Sequence, residues 1–477
     1  MQRSTLLSFC AGALFASTAA AQVFTPGNIV VLRVGDPTLT LGSTAAPVFL
    51  DEWDTTTNTL VQSFEIPNSQ TNASPSFSQR GFSSSEGCLN LSTDGRYLIV
   101  AGYDRAIGDT DPSAESGTTT RRIIATVDTL TGLVDTTTQL ADAYDGSSFR
   151  GAASIDGSAF WTVGNSSNGS VRYATLGAST STDISLSPTN MRWIGIRNSQ
   201  LYGTSASTGA LSQGVLEVGT GLPTMAGQMT TLLPGFPTAG TFSDGAPYDF
   251  WFADSSTLYV ADSASNGTTG FNCAGGVQKW ELASGTWTRT WQISGFGADC
   301  VRGLTGLVRN GVAEIWFTAE PNGFTTSLFQ LIDTGPNSVP QLITTEQPET
   351  DIRGVRVIGS TFARIPAGCG ASSLQVQGSG LLGTDVEVEM VNAAGFPLIN
   401  YSTAPLGLPV SGCSCTIVYD LGVLAGNGTI SIPNQPALVG SSLRLQGLDL
   451  FDPNTTCVGP VPGLPLSLTD GIEVQLR

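Results

Sequence analysis

Apolar and polar positions alternate in short runs along most of the chain, and one phrase of this pattern recurs. In residues 85–104, Leu89 and Leu91 alternate with polar residues, Asp94 and Gly95 form a tight-turn signal, and an apolar strand follows. This phrase predicts a β-hairpin. Related phrases occupy residues 149–164, 190–205, 246–262, 301–320 and 352–365.

The spacing of these hairpins predicts a repeat architecture. The turn residues lie 42 to 62 residues apart, which brackets the roughly 40–50 residues of a four-stranded propeller blade with loop insertions. Further β-rich segments after several hairpins would supply the outer strands. We therefore predict an all-β fold built on a six-bladed β-propeller. The six turn residues are Asp94, Asp156, Asn198, Asp254, Asn310 and Gly359.

The ends of the repeat region predict how the ring closes. Residues 27–67 contain three strand-like segments but no hairpin of their own, and residues 352–357 resemble an inner strand with too little sequence after it for a whole blade. If the N-terminal strands complete this last blade, the ring closes and no edge strand stays open. A seven-bladed propeller is the alternative, if residues 68–85 and 103–121 contain another blade.

The sequence changes character after Pro366. Tryptophan disappears, glycine and leucine become more frequent, and short strand-like segments follow at roughly ten-residue spacing, which is typical of a small β-sandwich. We therefore predict three parts: a signal peptide at 1–21, a β-propeller at 22–365 and a C-terminal β-sandwich domain at 366–477.

The N-terminus predicts export. Arg3 precedes a mostly apolar run, and three alanines end at Ala21, in the pattern of a cleaved secretory signal peptide. No later run reaches the roughly 18 apolar residues that a transmembrane helix needs. The protein is therefore expected to be secreted or held at the cell surface, with no transmembrane segment.

Charge and composition narrow the function classes. The net charge is −18 and Lys279 is the sole lysine, so the field of the protein repels phosphate backbones and nucleic acid is not an expected partner. The chain contains no histidine, which excludes Ser-His-Asp and Cys-His machinery, histidine zinc sites and a histidine general base. Any chemistry would have to use carboxylate pairs, tyrosine, arginine or an oxygen-ligated metal.

Three function classes fit these observations. A non-catalytic binding or surface-scaffold protein is favoured over an enzyme because no catalytic constellation appears, and its partner would be a glycan or another cell-envelope component. A carbohydrate-active hydrolase or lyase would need paired carboxylates on the propeller face, with Glu86 and Asp249 as candidates. A structural cell-envelope component is the third class. The oligomeric state stays open.

Arginine recurs at one position of the repeat. Each of four arginines stands at the start of a predicted inner strand, an even number of residues before its turn, so strand alternation predicts that they face the central channel together. Such a ring would bind an anionic glycan or a small acid. The alternative is that the arginines tie neighbouring blades together through Glu86, Asp249 and loop carbonyls. The four are Arg150, Arg192, Arg302 and Arg353.

One loop is a candidate for a structural calcium ion, and no other cofactor is indicated. Asp109 and Asp111 could direct carboxylate oxygens at one cation, although the rest of an EF-hand pattern is missing and a solvated loop is the alternative.

Cysteine usage fits an oxidising compartment. Cys273 and Cys300 flank one predicted blade and form the natural pair there. In the C-terminal domain, Cys413 and Cys415 are expected to pair with Cys369 and Cys457, in an order that the sequence leaves open. Cys88 is left over and is predicted to be a buried, inert thiol, since no basic neighbour in the sequence would lower its pKa.

Four C-terminal phrases carry a resemblance to a known group of proteins. They resemble the C-terminal domain of many secreted proteins of planctomycete-type bacteria, and residues 27–365 resemble the uncharacterised β-propellers of the same proteins. The resemblance implies an exported or cell-surface bacterial protein and brings no catalytic residues. The phrases are AGCGASSLQVQG, PLGLPVSGCSCTIVYD, PNQPALVGSSLRLQGLDLFDP and PLSLTDGIEVQLR.

Overall fold

The structure is a computed structural model, and the predicted signal peptide at 1–21 lies outside its described residues. The described residues are 24–68, 76–166, 170–205, 213–238, 245–264, 273–295, 300–320, 326–360, 362–402, 404–410, 413–420, 422–438, 441–455, 457 and 465–476.

The N-terminal strands share a sheet with a strand from the far end of the repeats. β1 pairs on one side with β3, which pairs in turn with β4. On its other side β1 pairs antiparallel with Asp351–Val357, which places Val31 opposite Val355. Residues 27–67 are therefore hydrogen-bonded to the segment that the sequence predicted as an inner strand. The strands are β1 (Ile29–Val34), β2 (Ala45–Ala46), β3 (Val48–Asp54) and β4 (Thr59–Glu65).

The next sheet is a four-stranded meander with an extension. β6 to β9 pair in sequence order, β5 pairs with β7 beyond the end of β6, and β2 pairs with β5. In their described parts, residues 68–85 and 103–121 contribute β5 and a short 3-10 helix, Pro112–Ala114, but no additional four-stranded sheet. The strands are β5 (Phe77–Arg80), β6 (Leu89–Leu91), β7 (Tyr97–Asp104), β8 (Arg122–Asp128) and β9 (Val134–Leu140).

Four further antiparallel meanders follow, each of four strands in sequence order. The first contains β10 (Phe149–Ala153), β11 (Ala159–Gly164), β12 (Val171–Thr175) and β13 (Thr182–Ser185), and the second contains β14 (Met191–Arg197), β15 (Gln200–Ser205), β16 (Val215–Val218) and β17 (Thr230–Leu232). The third contains β18 (Pro247–Phe252), β19 (Thr257–Asp262), β20 (Gly276–Ala283) and β21 (Thr286–Ile293). The fourth contains β22 (Cys300–Arg309), β23 (Val312–Glu320), β24 (Ser327–Ile332) and β25 (Gln341–Thr345), and β26 (Asp351–Val357) follows it.

Five of the six predicted turns join the first two strands of a sheet. Asn198 and Asn310 adopt positive φ angles of 45° and 51° there, a conformation that asparagine tolerates better than most residues. The sixth turn, at Gly359, is different. The strand after it, β27 (Phe362–Ile365), pairs with the C-terminal strand Leu466–Gln475 and so belongs to the C-terminal sheet. The hairpin predicted at residues 352–365 is therefore wrong.

The first strands of these sheets pack against one another, with β6 next to β26 and β10, β14 next to β10 and β18, and β22 next to β18 and β26. Apolar clusters fill the space between neighbouring sheets. In one of them, Tyr248 and Tyr259 pack against Ile315 and Phe317 of the next sheet. A set of four-stranded antiparallel meanders that pack face to face in this way is propeller-like.

The C-terminal domain contains a two-stranded sheet, Pro405–Pro409 with Thr416–Tyr419, and two larger sheets that share one apolar core. β27, β36, β35, β30 and β33 form the larger sheet, and β28, β29 and β34 the smaller one. Val388 and Met390 of the small sheet pack against Leu445 and Ile472 of the large sheet. The strands are β28 (Ser373–Gly378), β29 (Asp385–Val391), β30 (Phe396–Ser402), β31 (Pro405–Pro409), β32 (Thr416–Tyr419), β33 (Val423–Ala425), β34 (Gly428–Ser431), β35 (Ser442–Leu450) and β36 (Leu466–Gln475).

The C-terminal domain contacts the end of the propeller-like part that carries the hairpin turns. Arg197 pairs with Glu387, and the Asn198 amide donates a hydrogen bond of 2.8 Å to Glu389. A cavity of about 450 Å³ lies between the two parts and is lined from both sides, for example by Trp251 and Gln377. Among the described residues, no helix is long and apolar enough to span a bilayer.

Candidate functional site

Each of the four predicted arginines lies at a β-bulge. The strand pairing shifts register at Arg150 in β10, at Arg192 in β14 and at Arg302 in β22. The pairing of β26 with β1 shifts in the same way at Arg353. A bulge interrupts the alternation of side chains and turns a residue out of the regular direction of its strand. The even spacing to the following turn, on which the prediction of a common face rested, therefore does not set the direction of these side chains.

Two of the arginines flank the ring of Tyr248. The guanidinium carbon of Arg192 lies 4.9 Å from the ring centroid, and that of Arg302 lies 5.7 Å from it. Tyr248 itself lies at a bulge in β18 and is nearly fully buried. Cations over an aromatic face are attracted by the negative charge of the ring face. Three neighbouring sheets therefore direct one side chain each to the same place.

Arg150 completes this group, which we call the arginine cluster: Arg150, Arg192, Arg302 and Tyr248. Burial and the like charge of Arg192 together lower the pKa of Arg150 to about 9. Burial also lowers the pKa of Arg302. Burial would raise the pKa of the Tyr248 hydroxyl, but Arg192, Arg302 and Arg150 outweigh it and hold that pKa below its usual value. Positive charge is thus concentrated here.

The arginines of the cluster are unequally compensated. Arg302 pairs with Glu320, whereas the acceptors of Arg150 among the described residues are neutral, the Asn190 side chain and the Met191 carbonyl. Arg192 makes no hydrogen bond or ion pair with any described residue. In all three arginines the Nε atom is buried and lacks an acceptor among the described residues. Buried donors without acceptors cost free energy, and a bound anion would supply acceptors here.

Arg353 lies outside the cluster and holds sheets together. Its guanidinium donates to the Gln79 side chain at 2.9 Å and to the carbonyls of Arg80 and Gly81 at 2.8 and 3.0 Å, and it pairs with Asp351 at 2.7 Å. It therefore ties β26 to β5 and the residue after it. For this arginine the structure agrees with the alternative in which arginine links neighbouring blades.

Asp249 forms an ion pair with Arg356, an arginine outside the predicted repeat position. Arg356 donates to both carboxylate oxygens of Asp249, at 2.7 and 3.1 Å, and to the Asn90 side chain at 2.9 Å. Asn90 in turn donates at 2.8 Å to the carbonyls of Ala152 and Ile194. Burial raises the pKa of Asp249 to about 6, against the opposing effect of Arg356. This central network links the first strands of several sheets.

Glu86, the other carboxylate proposed for carbohydrate chemistry, lies in a different environment. It is buried and accepts a 2.7 Å hydrogen bond from the Tyr103 hydroxyl, and burial raises its pKa. Glu86 thus contacts Tyr103 and Asp249 contacts Arg356, and both carboxylates are buried inside the protein. Neither lines the cavity beside Arg302.

The two aspartates proposed for calcium have separate environments. Asp111 caps the short 3-10 helix by accepting from Ser113 and forms an ion pair of 2.9 Å with Arg80. Asp109 lies in the preceding turn, where its backbone N–H donates to Ala106. No set of three possible metal ligands that includes either aspartate occurs among the described residues. Calcium at this loop stays a prediction.

The cysteines pair in the way that the sequence left partly open. The disulfides are Cys273–Cys300, Cys369–Cys415 and Cys413–Cys457. Cys88 is free and buried, and burial raises the pKa of its thiol. The sequence offered no basic neighbour for it, but Arg356 lies close enough to oppose that rise. That Cys88 is chemically inert stays a prediction, which its burial and raised pKa support.

Comparison with known proteins identifies no family. No protein-family model matches the sequence. No curated protein matches it either.

Several solved structures are similar to this chain at low sequence identity and low TM-score. A nidogen/laminin complex has a TM-score of 0.41 at 10% identity, over 69% of this chain and 98% of that chain. A putative 6-phosphogluconolactonase from Bacteroides uniformis has a TM-score of 0.36 at 12% identity, over 85% and 97%. Hydrazine synthase from Kuenenia stuttgartiensis has a TM-score of 0.36 at 10% identity, over 67% and 80%. At this level of similarity, function has to be argued from the site itself.

Proposed function

We propose that this chain is an exported, non-catalytic β-propeller binding protein that holds an anionic ligand, an acidic glycan or a small acid, at the arginine cluster. Export rests on the signal-peptide pattern at 1–21. The protein would present the cluster on a rigid scaffold of six blades, closed by the N-terminal strands, with the C-terminal domain attached at the opposite end.

Two observations support the closed six-bladed ring. The first strands contact one another in cyclic order, from β6 through β10, β14, β18, β22 and β26 back to β6. The pairing of β1 with β26 joins the two ends of the repeat region in one sheet. Such a closure leaves no open edge between the first and last blades. A rigid ring favours binding because the cluster is already ordered before a ligand arrives.

The observation that carries the binding proposal is Arg192. Its guanidinium has no acceptor among the described residues, lies over Tyr248, and shares its surroundings with Arg150 and Arg302. An arginine whose role is to tie strands together would resemble Arg353, which makes four hydrogen bonds. Guanidinium groups bind carboxylates and sulfates through paired, charge-assisted hydrogen bonds.

A glycan array that contains neutral, uronic-acid and sulfated oligosaccharides tests the proposal on the full mature chain. We expect acidic glycans to bind and neutral ones not to bind, with binding that weakens as salt is raised. The Arg192→Gln variant should lose this binding. The Arg289→Gln variant is the matched control, since Arg289 is an exposed arginine on the outer strand β21.

A reducing-end release assay on the same glycans separates binding from hydrolysis. We expect no release of sugar ends above the rate without protein. Release that depends on Glu86 or Asp249 would replace the binding proposal with the carbohydrate-active enzyme. If wild type and Arg192→Gln bind acidic glycans equally, the arginine cluster is not the binding site.

A further inference from the structure

A cavity beside the arginine cluster is lined by more carboxylates than arginines. It has a volume of about 270 Å³, and its charged lining residues are three carboxylates, Glu320, Glu346 and Asp351, and two arginines, Arg302 and Arg80, of which Arg80 pairs with Asp111 at 2.9 Å. Arg302 also lies over Tyr248, so one guanidinium borders both the cavity and the cluster. Positive and negative binding groups are therefore adjacent at this site.

The three carboxylates differ in how far the protein compensates them. Glu320 pairs with Arg302, and Asp351 pairs with Arg353 at 2.7 Å and accepts a hydrogen bond from Thr326 at 3.1 Å. Glu346 accepts hydrogen bonds from backbone N–H groups only, including one of 3.3 Å from Ile352, and has no ion-pair partner among the described residues. Burial and then the charge of Asp351 raise the pKa of Glu346 to about 8. Glu346 is therefore ionised mainly above about pH 8, and then without an ion-pair partner among the described residues.

A metal ion fits this cavity less well than an organic cation. Among the described residues, the carboxylate oxygens of Glu320, Glu346 and Asp351 do not form a set close enough to hold one ion. Calcium needs six to eight oxygen ligands around one point. An ammonium group needs fewer oxygen ligands, because it can donate hydrogen bonds to one or two carboxylates that approach it from one side.

We infer that the ligand is a small zwitterion, with a carboxylate that binds at Arg192 and Arg302 and an ammonium group that enters the cavity and binds Glu346. This inference rests on the proposed function, since it uses the same arginine cluster for the anionic end. A cavity of about 270 Å³ is smaller than a site for a drug-sized molecule, which suits an amino acid or an amino-sugar acid.

The test compares two homologous series of ligands on the mature full-length protein by isothermal titration calorimetry. The first series is propionate, butyrate and pentanoate, and the second is β-alanine, 4-aminobutyrate and 5-aminopentanoate. Each pair differs by the ammonium group alone. At pH 8.5, where Glu346 is mostly ionised and the ligand ammonium groups are still protonated, we expect at least one amino acid to bind about tenfold more tightly than its matched carboxylate, the ratio expected of one charge-assisted hydrogen bond.

Variants assign the two ends of the ligand. Glu346→Gln should abolish the preference for the amino acids and leave the affinity for the carboxylates unchanged. Arg192→Gln should weaken both series. Glu281→Gln, at an exposed glutamate on the outer strand β20, is the control for the loss of one negative charge and should behave as wild type.

The outcomes separate the two proposals. Equal binding of both series to wild type, lost in Arg192→Gln, overturns the zwitterion and leaves the anion-binding function standing. A preference for amino acids that survives in Glu346→Gln also overturns the zwitterion as assigned. If neither series binds, small carboxylates are not ligands and the inference fails. If the protein then still binds acidic glycans on the array, the proposed function stands.

Discussion

Arg192 lies over the face of the Tyr248 ring, 4.9 Å from guanidinium carbon to ring centroid, and contacts no carboxylate of the described chain. Arg353 occupies the corresponding place in β26 and makes four hydrogen bonds. Two arginines at one repeat position therefore have different roles. Arg353 is held by hydrogen bonds to the protein, whereas the guanidinium of Arg192 has N–H donors without acceptors among the described residues.

This difference predicts opposite effects on stability. Arg353→Gln should lower the free energy of unfolding by about 3 kcal/mol, because it removes a buried ion pair and leaves the carbonyls of Arg80 and Gly81 without these donors. Arg192→Gln should leave it unchanged within about 0.5 kcal/mol or raise it, because a like charge leaves the cluster. Urea unfolding of both variants measures the two effects. A loss in Arg192→Gln as large as that in Arg353→Gln would mean that Arg192 is structural.

The central network makes a second prediction. Arg356→Met should cost about 3–5 kcal/mol because it leaves Asp249 buried without its cation. Asp249→Asn combined with Arg356→Met should cost less than the sum of the two single changes, with a coupling of about 2 kcal/mol. A double-mutant cycle by urea unfolding measures this coupling. Additive losses would show that Arg356 and Asp249 act independently.

The hairpin repeat could be predicted from the sequence because each turn has a local cause. Asp94 with Gly95 and the asparagines at 198 and 310 suit positive or tight backbone angles, and apolar residues alternate on either side of them. The misassigned hairpin at residues 352–365 has the same local pattern. Its second strand, β27, pairs with β36, which lies about a hundred residues later in the chain. A local sequence pattern cannot indicate this distant partner.

The site could be predicted only in part. The recurrence of arginine pointed to Arg150, Arg192 and Arg302, but bulges decide where these side chains point, and a bulge has no reliable signal in one sequence. Tyr248 was missed although it precedes Asp249, the candidate at the same repeat position. Arg356 was missed as well, and its signal was a second arginine in the strand that already held Arg353.

Glu346 predicts a pH dependence of stability. Its pKa is raised from 4.5 to about 8 in the folded chain, so the folded state binds more protons than the unfolded state between these values. The stabilisation from this residue is complete below about pH 4.5 and is lost as the pH rises through about 8. Glu346→Gln cannot lose a proton and should gain stability relative to wild type between pH 5 and pH 9. Urea unfolding across this range, with Glu281→Gln as control, should separate the two curves, and parallel curves would contradict the assignment.

The cysteine pattern predicts one labelled thiol per mature chain. Three disulfides account for six cysteines, and Cys88 is the free one among the described residues. Alkylation without reductant should modify Cys88 only after denaturation, because the thiol is buried in the folded protein. Mass spectrometry of the intact chain counts the labels. A second label, or labelling of the folded protein, would contradict this pairing.

The central claim is that the arginine cluster binds an anion, and titration of the mature protein with free glucuronate at low ionic strength tests it most directly. Glucuronate carries a carboxylate on a sugar ring and tests neither the ammonium end nor a longer glycan. We expect saturable binding to wild type that weakens with added salt and falls at least tenfold in Arg192→Gln, with unchanged binding to Arg289→Gln. Binding that is the same in all three proteins, or no binding to wild type under conditions in which acidic glycans also fail on the array, would contradict the claim.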